Sequence, residues 1–406
     1  MRASAPDSEM TSIAPQELSA DAMPGAAAPL PRTKRLFRKM PQPNQARTAQ
    51  TLAATRLLTG TLALALGLAM TGCAYQGGTT NSEKEPKIQL VWPAAPADPR
   101  FRYETQLRNQ YDIRPLTEDE RLKQMLTGPS SKPGEPAYRK PSALAARNGR
   151  IYVADPPTNS IVVFDVPRGR VFQIGVREPN NVTSPTSLAI DGENNVYVLD
   201  AKRHQVMVYD SLGLFMYAVG NPKELSKPSG VAVSDDGQKI FIVDRGTVDG
   251  NDHKVIAYSP DNRELFRIGP RGSAPGRVSI PLAATVTRGS LLVLDSGNFR
   301  VQTFDLEGNF KGMFGSVGNG IGQFSRPRSI SADQDGNIYV SDASFNNVQI
   351  FSPAGELLMW LGEPSLRNVP GQFGLIAGIA VDETGRLYVA DQYHLKVEVY
   401  RPEKPQ

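Results

Sequence analysis

A unit repeated six times between residue 141 and about residue 402 constrains this chain more than any other feature. The plainest copies are NVYVLDAKRHQVMVYD at 195–210, SLLVLDSGNFRVQTFD at 290–305 and NIYVSDASFNNVQIFS at 337–352. GRIYVADPPTNSIVVFD at 149–165, KIFIVDRGTVDGNDHKVIAYS at 239–259 and RLYVADQYHLKVEVY at 386–400 complete the set. The unit reads as a Pro-led first strand, a turn with Gly or Asn, and an apolar second strand ending in Asp. A third strand rich in Val, Ile and aromatics follows, then a fourth that ends near Gly. The strand-ending residues Asp155, Asp200, Asp244, Asp295, Asp342 and Asp391 are spaced by 45, 44, 51, 47 and 49. One such unit cannot bury its apolar faces alone, so neighbours must stack, and the period is that of a four-stranded propeller blade.

Six blades need a closed ring, and strand counting shows how the chain closes it. The last unit stops near 397–400, after its third strand, and lacks a fourth. Residues 101–107, FRYETQL, alternate like a strand and precede the first unit. They are expected to supply the missing outer strand, so that the ring leaves no open seam. The expected fold is all-β, a six-bladed propeller over 101–402. Before the first blade, Thr117-Glu118-Asp119-Glu120 is a capping box that opens a short helix ending at Gly128.

The repeat resembles the NHL repeat of six-bladed β-propellers, best in PRSISADQDGNIYVSDASFNNVQIF at 327–351, and the resemblance runs from 141 to about 402. Together with VWPAAPADPR at 91–100, it is similar to bacterial NHL-repeat lipoproteins.

The chain before the repeats reads as a leader and a tether. Residues 57–69, LLTGTLALALGLA, carry no charge, follow Arg47 and Arg56, and precede Met70-Thr71-Gly72-Cys73. The stretch is too short to span a membrane and has the layout of a secretory signal. Its end resembles a lipobox, with Met70 in place of the usual Leu. The resemblance implies cleavage before Cys73, a diacylglycerol on its thiol and, with Ala74 following, sorting to the periplasmic face of the outer membrane. The alternative for this single cysteine is a buried free thiol. Residues 1–72 are read as leader, with Met40 an alternative start, and 73–100 as a flexible and Pro-rich linker.

Charge excludes one class of partner. Eight of the 45 basic and four of the 41 acidic residues lie in 1–72, leaving 37 of each sign in 73–406. The formal +4 belongs to the leader, and the remaining chain lacks the net positive charge of a nucleic-acid binder.

The chemistry of the repeats favours binding. Six equivalent aspartates at strand ends are expected to accept backbone N–H bonds from the turns that follow. Some NHL propellers are α-amidating lyases, which hold zinc through histidines just after the repeat's Pro. The matching positions here are Thr186, Ser229, Leu282 and Arg328, so that resemblance does not carry over. His204, His253 and His394 fall in turns between second and third strands and are expected to be exposed. Asp249, Asn251 and Asp252, in an insertion at 246–252, are candidate calcium ligands with a solvated loop as the alternative. No other cofactor is expected. Neither a phosphate-binding Gly-rich loop nor a nucleophile elbow occurs in the sequence.

Phe299, Phe345 and Tyr393 follow the aspartates of blades 4, 5 and 6, with Arg300, Asn346, Asn347, His394 and Lys396 beside them and Phe324 and Arg326 on an inter-blade loop. Aromatics with arginine make a candidate partner-binding patch, unless the rings tuck between blades as packing. The expected function is a lipid-anchored scaffold or protein-binding module of the cell envelope, with unidentified envelope proteins as partners. The alternative is a metal-dependent propeller enzyme of the lactonase, strictosidine-synthase or amidating-lyase kind.

Overall fold

The computed structural model describes residues 90–128 and 135–403. The leader, Cys73 and the first part of the linker lie outside the described residues. The second strand of every repeat, among them Val196–Asp200, Ile240–Asp244 and Ile338–Asp342, is buried along its length with no alternation. A strand that is apolar on both faces must be covered on both. A blade pressed between two neighbours meets that demand.

The strands make six antiparallel blades. Blade 1 runs Ala143–Arg147, Arg150–Asp155, Ser160–Asp165 and Arg170–Ile174, from the inside out, and blades 2 to 5 repeat the order. The innermost strands stand side by side in a ring around a central channel. The core lies at the seams. One cluster joins Val153 and Phe164 of blade 1 to Tyr388 and Val399 of blade 6, and another joins Leu294 and Val301 of blade 4 to Ile338 and Phe351 of blade 5.

The ring closes as the strand count requires. Phe101–Leu107 pairs antiparallel with Lys396–Pro402, from Phe101 opposite Pro402 to Leu107 opposite Val397. The hydroxyl of the buried Tyr138 donates to the Leu107 carbonyl and ties the strand to the approach to blade 1. One detail departs from the expected linker. Val91–Trp92 pairs with the closing strand as a fifth strand, because the Trp92 ring finds cover edge-on against Tyr400 at 5.2 Å. The capped helix forms over Glu118–Thr127, with Thr117 and Glu120 exchanging bonds and Gly128 ending it at φ 77°.

Leu107 is 2% exposed and packs in the seam between blades 6 and 1. Leu107→Ala is expected to cost about 2–5 kcal/mol in chemical denaturation. Glu104→Ala, which breaks only the half-exposed 2.8 Å pair with Arg386, is expected to cost under about 1 kcal/mol. Equal losses would show that this strand does not seal the ring.

Candidate functional site

One face of the ring is built from the second-to-third-strand turns and the loops that enter each blade, and the buried aspartates organise it. Asp155 accepts the backbone N–H groups of Arg139 and Lys140 at 2.8 and 2.7 Å. Asp244 accepts Ser226 and Lys227 at 2.8 Å each, and Asp391 accepts Gly374 and Leu375 at 2.9 and 3.0 Å. Turn donors also contribute, such as Lys202 and Arg203 to Asp200 and Ser344 to Asp342. The expected turn N–H bonds are present at Asp200, Asp244, Asp342 and Asp391, while Asp155 and Asp295 take side-chain donors, Thr158 and Asn298, from their turns. The same carboxylates also clamp the incoming loop, which lies about 16 residues earlier in sequence and shows no local signal. Burial alone would raise the Asp391 carboxyl, but donors from His394, Gly374 and Leu375 outweigh it and hold the group below the ordinary carboxylate value.

The loops entering blades 4, 5 and 6 share a further device. The third strands of these blades carry Gln302, Gln349 and Glu398, all buried, at one equivalent position. Their side-chain oxygens accept the N–H groups of Gly276, Gly322 and Gly371 at 2.9, 2.6 and 3.0 Å. Each loop doubles back in a short parallel pairing, Arg271 with Val278, Val317 with Phe324, and Glu363–Pro364 with Gln372–Phe373. Val278, Phe324 and Phe373 are the buried anchors. Gly315 and Gly362 have φ of 96° and 103°, and a Cβ on either would sit 2.5 Å from the Phe324 or Phe373 ring. The Glu398 charge is matched by the buried Lys396, whose ammonium lies 2.6 Å from it and also donates to the Val369 and Gln372 carbonyls. Blades 1 and 2 hold Val162 and Met207 at the equivalent position, so this pinning belongs to the later half of the ring.

Over 181 residues the chain is 29% identical to NHL repeat-containing protein 3 of Homo sapiens, across 40% of this chain and 50% of that protein. Over 234 residues it is 25% identical to the E3 ubiquitin-protein ligase NHLRC1 of Rattus norvegicus, across 55% of each. The chain spans about half the length of these curated relatives. A solved protein of unknown function from Bacteroides thetaiotaomicron superposes with a TM-score of 0.53 at 16% identity, over 66% of this chain and 70% of that one, a likeness of fold alone. No protein-family model matches. Six blades in the expected register, on a sequence that aligns with NHL-repeat proteins, decide the matter. The chain is an NHL-repeat six-bladed β-propeller.

The NHL propeller divides the expected patch. Arg300, Asn347, Lys396 and Phe324 are buried, so the expectation that they meet a partner is corrected. Arg300 is spent on Asp295 at 2.8 Å and on loop carbonyls, and Phe324 packs on Phe351. Phe299 is half-buried against the blade 4–5 seam and adopts φ 53°. The fourth residue after the aspartate takes this left-handed conformation in blades 1, 2, 4, 5 and 6, as Asn159, His204, Phe299, Asn346 and Leu395. Turn geometry therefore sets the place of Phe299 and Asn346. Asn346 accepts the Ile376 N–H at 3.0 Å and so ties blade 5 to blade 6. Phe345 and His394 are half-buried, while Tyr393 and Arg326 are exposed on this face.

Other apolar side chains stand exposed along this face and its outer edge. Val317 and Ile321 stand on the loop into blade 5, Leu366 and Val369 on the loop into blade 6, and Trp360 at the loop end of the outer strand of blade 5. Trp360 is 47% exposed and Leu366 78%. Trp360 pairs with Gln349, a residue that pins its neighbouring loop. LLMWL at 357–361 and the loop VGNGIGQF at 317–324 hold these residues in sequence, but nothing there separates the outward Ile321 from the buried Phe324 three residues on.

The histidines are not exposed loop residues, which corrects that expectation. His253 is fully buried, accepts the Ile280 N–H at 3.0 Å and bonds the Thr247 carbonyl at 2.8 Å, joining the insertion to blade 4. His204 bonds the Leu225 carbonyl at 2.7 Å, and His394 bonds Asp391 at 2.6 Å. In the insertion, Asp252 accepts the Thr247 N–H at 3.0 Å. Burial opposes its charge, but hydrogen bonds from Ser226 and Thr247 hold its carboxyl at about 2. Among the described residues, no three His, Cys, Asp or Glu side chains are grouped to hold a metal.

At the opposite end the channel opens into a cavity of about 830 Å³ lined by the innermost strands. Its walls are small aliphatics such as Ala145, Ala189, Val231 and Ala332. The acids at its edge are engaged. Asp235 pairs with Arg147 at 3.0 Å, Glu383 accepts the Asn148 N–H, and Asp191, Asp333 and Asp382 close their turns and accept the Tyr197, Tyr339 and Tyr388 hydroxyls.

Asp342 tests the clamp. Asp342→Ala orphans the N–H groups of Ser325, Arg326 and Ser344 and is expected to cost about 3 kcal/mol or more in thermal or chemical denaturation. Asp342→Asn keeps one acceptor oxygen and is expected to cost about half as much.

Proposed function

We propose that this NHL propeller is a protein-binding module whose recognition surface is the apolar rim of blades 4 to 6, and that a lipid on Cys73 holds it at the cell envelope. The single observation that carries the binding reading is the exposure of Val317, Ile321, Trp360 and Leu366 on or beside loops stiffened by Gln302, Gln349 and Glu398. Apolar side chains held outward on a pre-set backbone lose little entropy when a partner covers them, and their area leaves water on binding. The channel supports the same reading, since small aliphatic residues make up much of its wall and the acids at its edge each accept a turn N–H or tyrosine hydroxyl or pair with arginine. The anchor rests on sequence, on the uncharged 57–69 stretch immediately before a lone cysteine.

Two measurements test the proposal. Ile321→Ser with Trp360→Ser should abolish crosslinking of the full chain to a specific envelope protein while the melting temperature stays within about 2 °C, as surface changes do. Unchanged crosslinking, or a loss matched by unfolding, would reject the rim. For the anchor, Cys73→Ser should shift the protein from the detergent phase to the aqueous phase on phase partition. A Cys73→Ser protein that stays in the detergent phase would reject lipidation.

A further inference from the structure

The channel mouth on the face of the aspartate clamps carries a charge pattern that the rim does not explain. Four positions of each blade lie at the clamp-face end of its two inner strands: the two residues clamped by the aspartate, the residue that follows the strand-opening Pro (Ile376 in blade 6), and the residue that follows the aspartate. Blade 1 places Arg139 and Lys140 there, blade 3 Lys227 and Arg245, and blade 5 Arg326 and Arg328. No acid occupies any of these positions in the six blades, and blades 2, 4 and 6 offer neutral residues such as Thr186, Ile280 and Leu282. The cations therefore stand on alternate blades, two to a blade.

All six side chains are exposed, and none takes part in an ion pair or hydrogen bond among the described residues. The six strand-end aspartates of this face are fully buried and filled by backbone and side-chain donors, and Asp252 of the blade 3 insertion accepts from Thr247, so none of these carboxylates pairs with the six cations. Like charges reinforce one another across the mouth. The Arg328 guanidinium, exposed at its edge but partly screened from water by the surrounding loops, is held below the ordinary arginine value by that desolvation and then by the charges of Arg326 and of Arg245 of blade 3. The other end of the channel differs, since Arg147 there pairs with Asp235 and Arg288 donates to the Asp335 carbonyl.

We propose that this mouth seats an acidic polypeptide segment of a partner protein, whose aspartate or glutamate carboxylates bridge the cations of blades 1, 3 and 5. The proposal rests on the protein-binding reading and deepens it by giving the partner's chemistry. Guanidinium groups with free donors suit carboxylates, and a ring of charges set two blades apart suits several carboxylates along one chain. A nucleic acid fits less well. The chain from 73 to 406 has no excess positive charge to draw a polyphosphate backbone. The exposed apolar rim of blades 4 to 6 lies on the same face and would take the partner's apolar residues.

Fluorescence anisotropy of a labelled oligoglutamate with the full chain tests this. The peptide should bind, and more weakly as salt is raised. The triple variant Arg245→Gln, Arg326→Gln, Arg328→Gln should weaken it by about tenfold or more, while Arg147→Gln with Arg288→Gln at the other end changes affinity by less than about twofold. Lys140→Gln with Lys227→Gln should also weaken binding, which keeps the test sound should the triple variant unfold. Absence of binding, equal loss in the two ends' variants, tighter binding of an oligouridylate of equal charge, or full displacement by inorganic phosphate at equal charge concentration would overturn it. The rim variant Ile321→Ser, Trp360→Ser should leave oligoglutamate affinity unchanged, so failure of the rim and failure of the mouth are read separately.

Discussion

The structure depends on a buried carboxylate at the end of each second strand. An ionised group taken from water must have its lone pairs filled, or its burial is prohibitively costly. Here each aspartate accepts a backbone N–H of the loop that enters its own blade, and turn N–H groups or side chains such as Thr158, Asn298 and Arg300 fill the rest. The bond joins chain segments about 16 residues apart and fixes where the innermost strand begins. Six such clamps set six strand starts at one level, and they create a face on which loops hold defined positions.

That face is not uniform around the ring. In blades 4 to 6 a second buried polar residue, Gln302, Gln349 or Glu398, holds the loop from the outside while the aspartate holds it from the inside. Two fixed points with an apolar anchor between them leave the loop's remaining side chains nowhere to go but outward. The exposure of Val317, Ile321 and Leu366 follows from this pinning. So does the burial of Arg300, whose guanidinium serves the carbonyls of the loop into its own blade. The same loops thus bury one set of side chains in the seams and hold another set in solvent.

Much of the fold was legible in the sequence because propeller physics is periodic. A strand buried on both faces writes a continuous apolar run, a strand end before a turn writes Asp, and a ring needing closure leaves one unit a strand short. The site was legible only in outline. The face and the blades were foreseeable, but Phe324 and Ile321 share a loop and a hydropathy, and only the turn of that loop sends one in and the other out. Lys396 and Arg300 were read as exposed because lone cations usually are. Each has a buried carboxylate partner, at 2.6 Å for Lys396 and 2.8 Å for Arg300.

Sequence by itself determined the number of blades, their strand order, the closing strand Phe101–Leu107 and the helix over Glu118–Thr127, because each rests on local periodicity or on a count of strands. Tertiary structure alone decided which turn residues face solvent, which loops are pinned, and that Arg245 and Arg328 lie within electrostatic reach of each other. These depend on contacts between segments far apart in the chain, and the spacing of residues along a sequence does not encode distances across a closed ring.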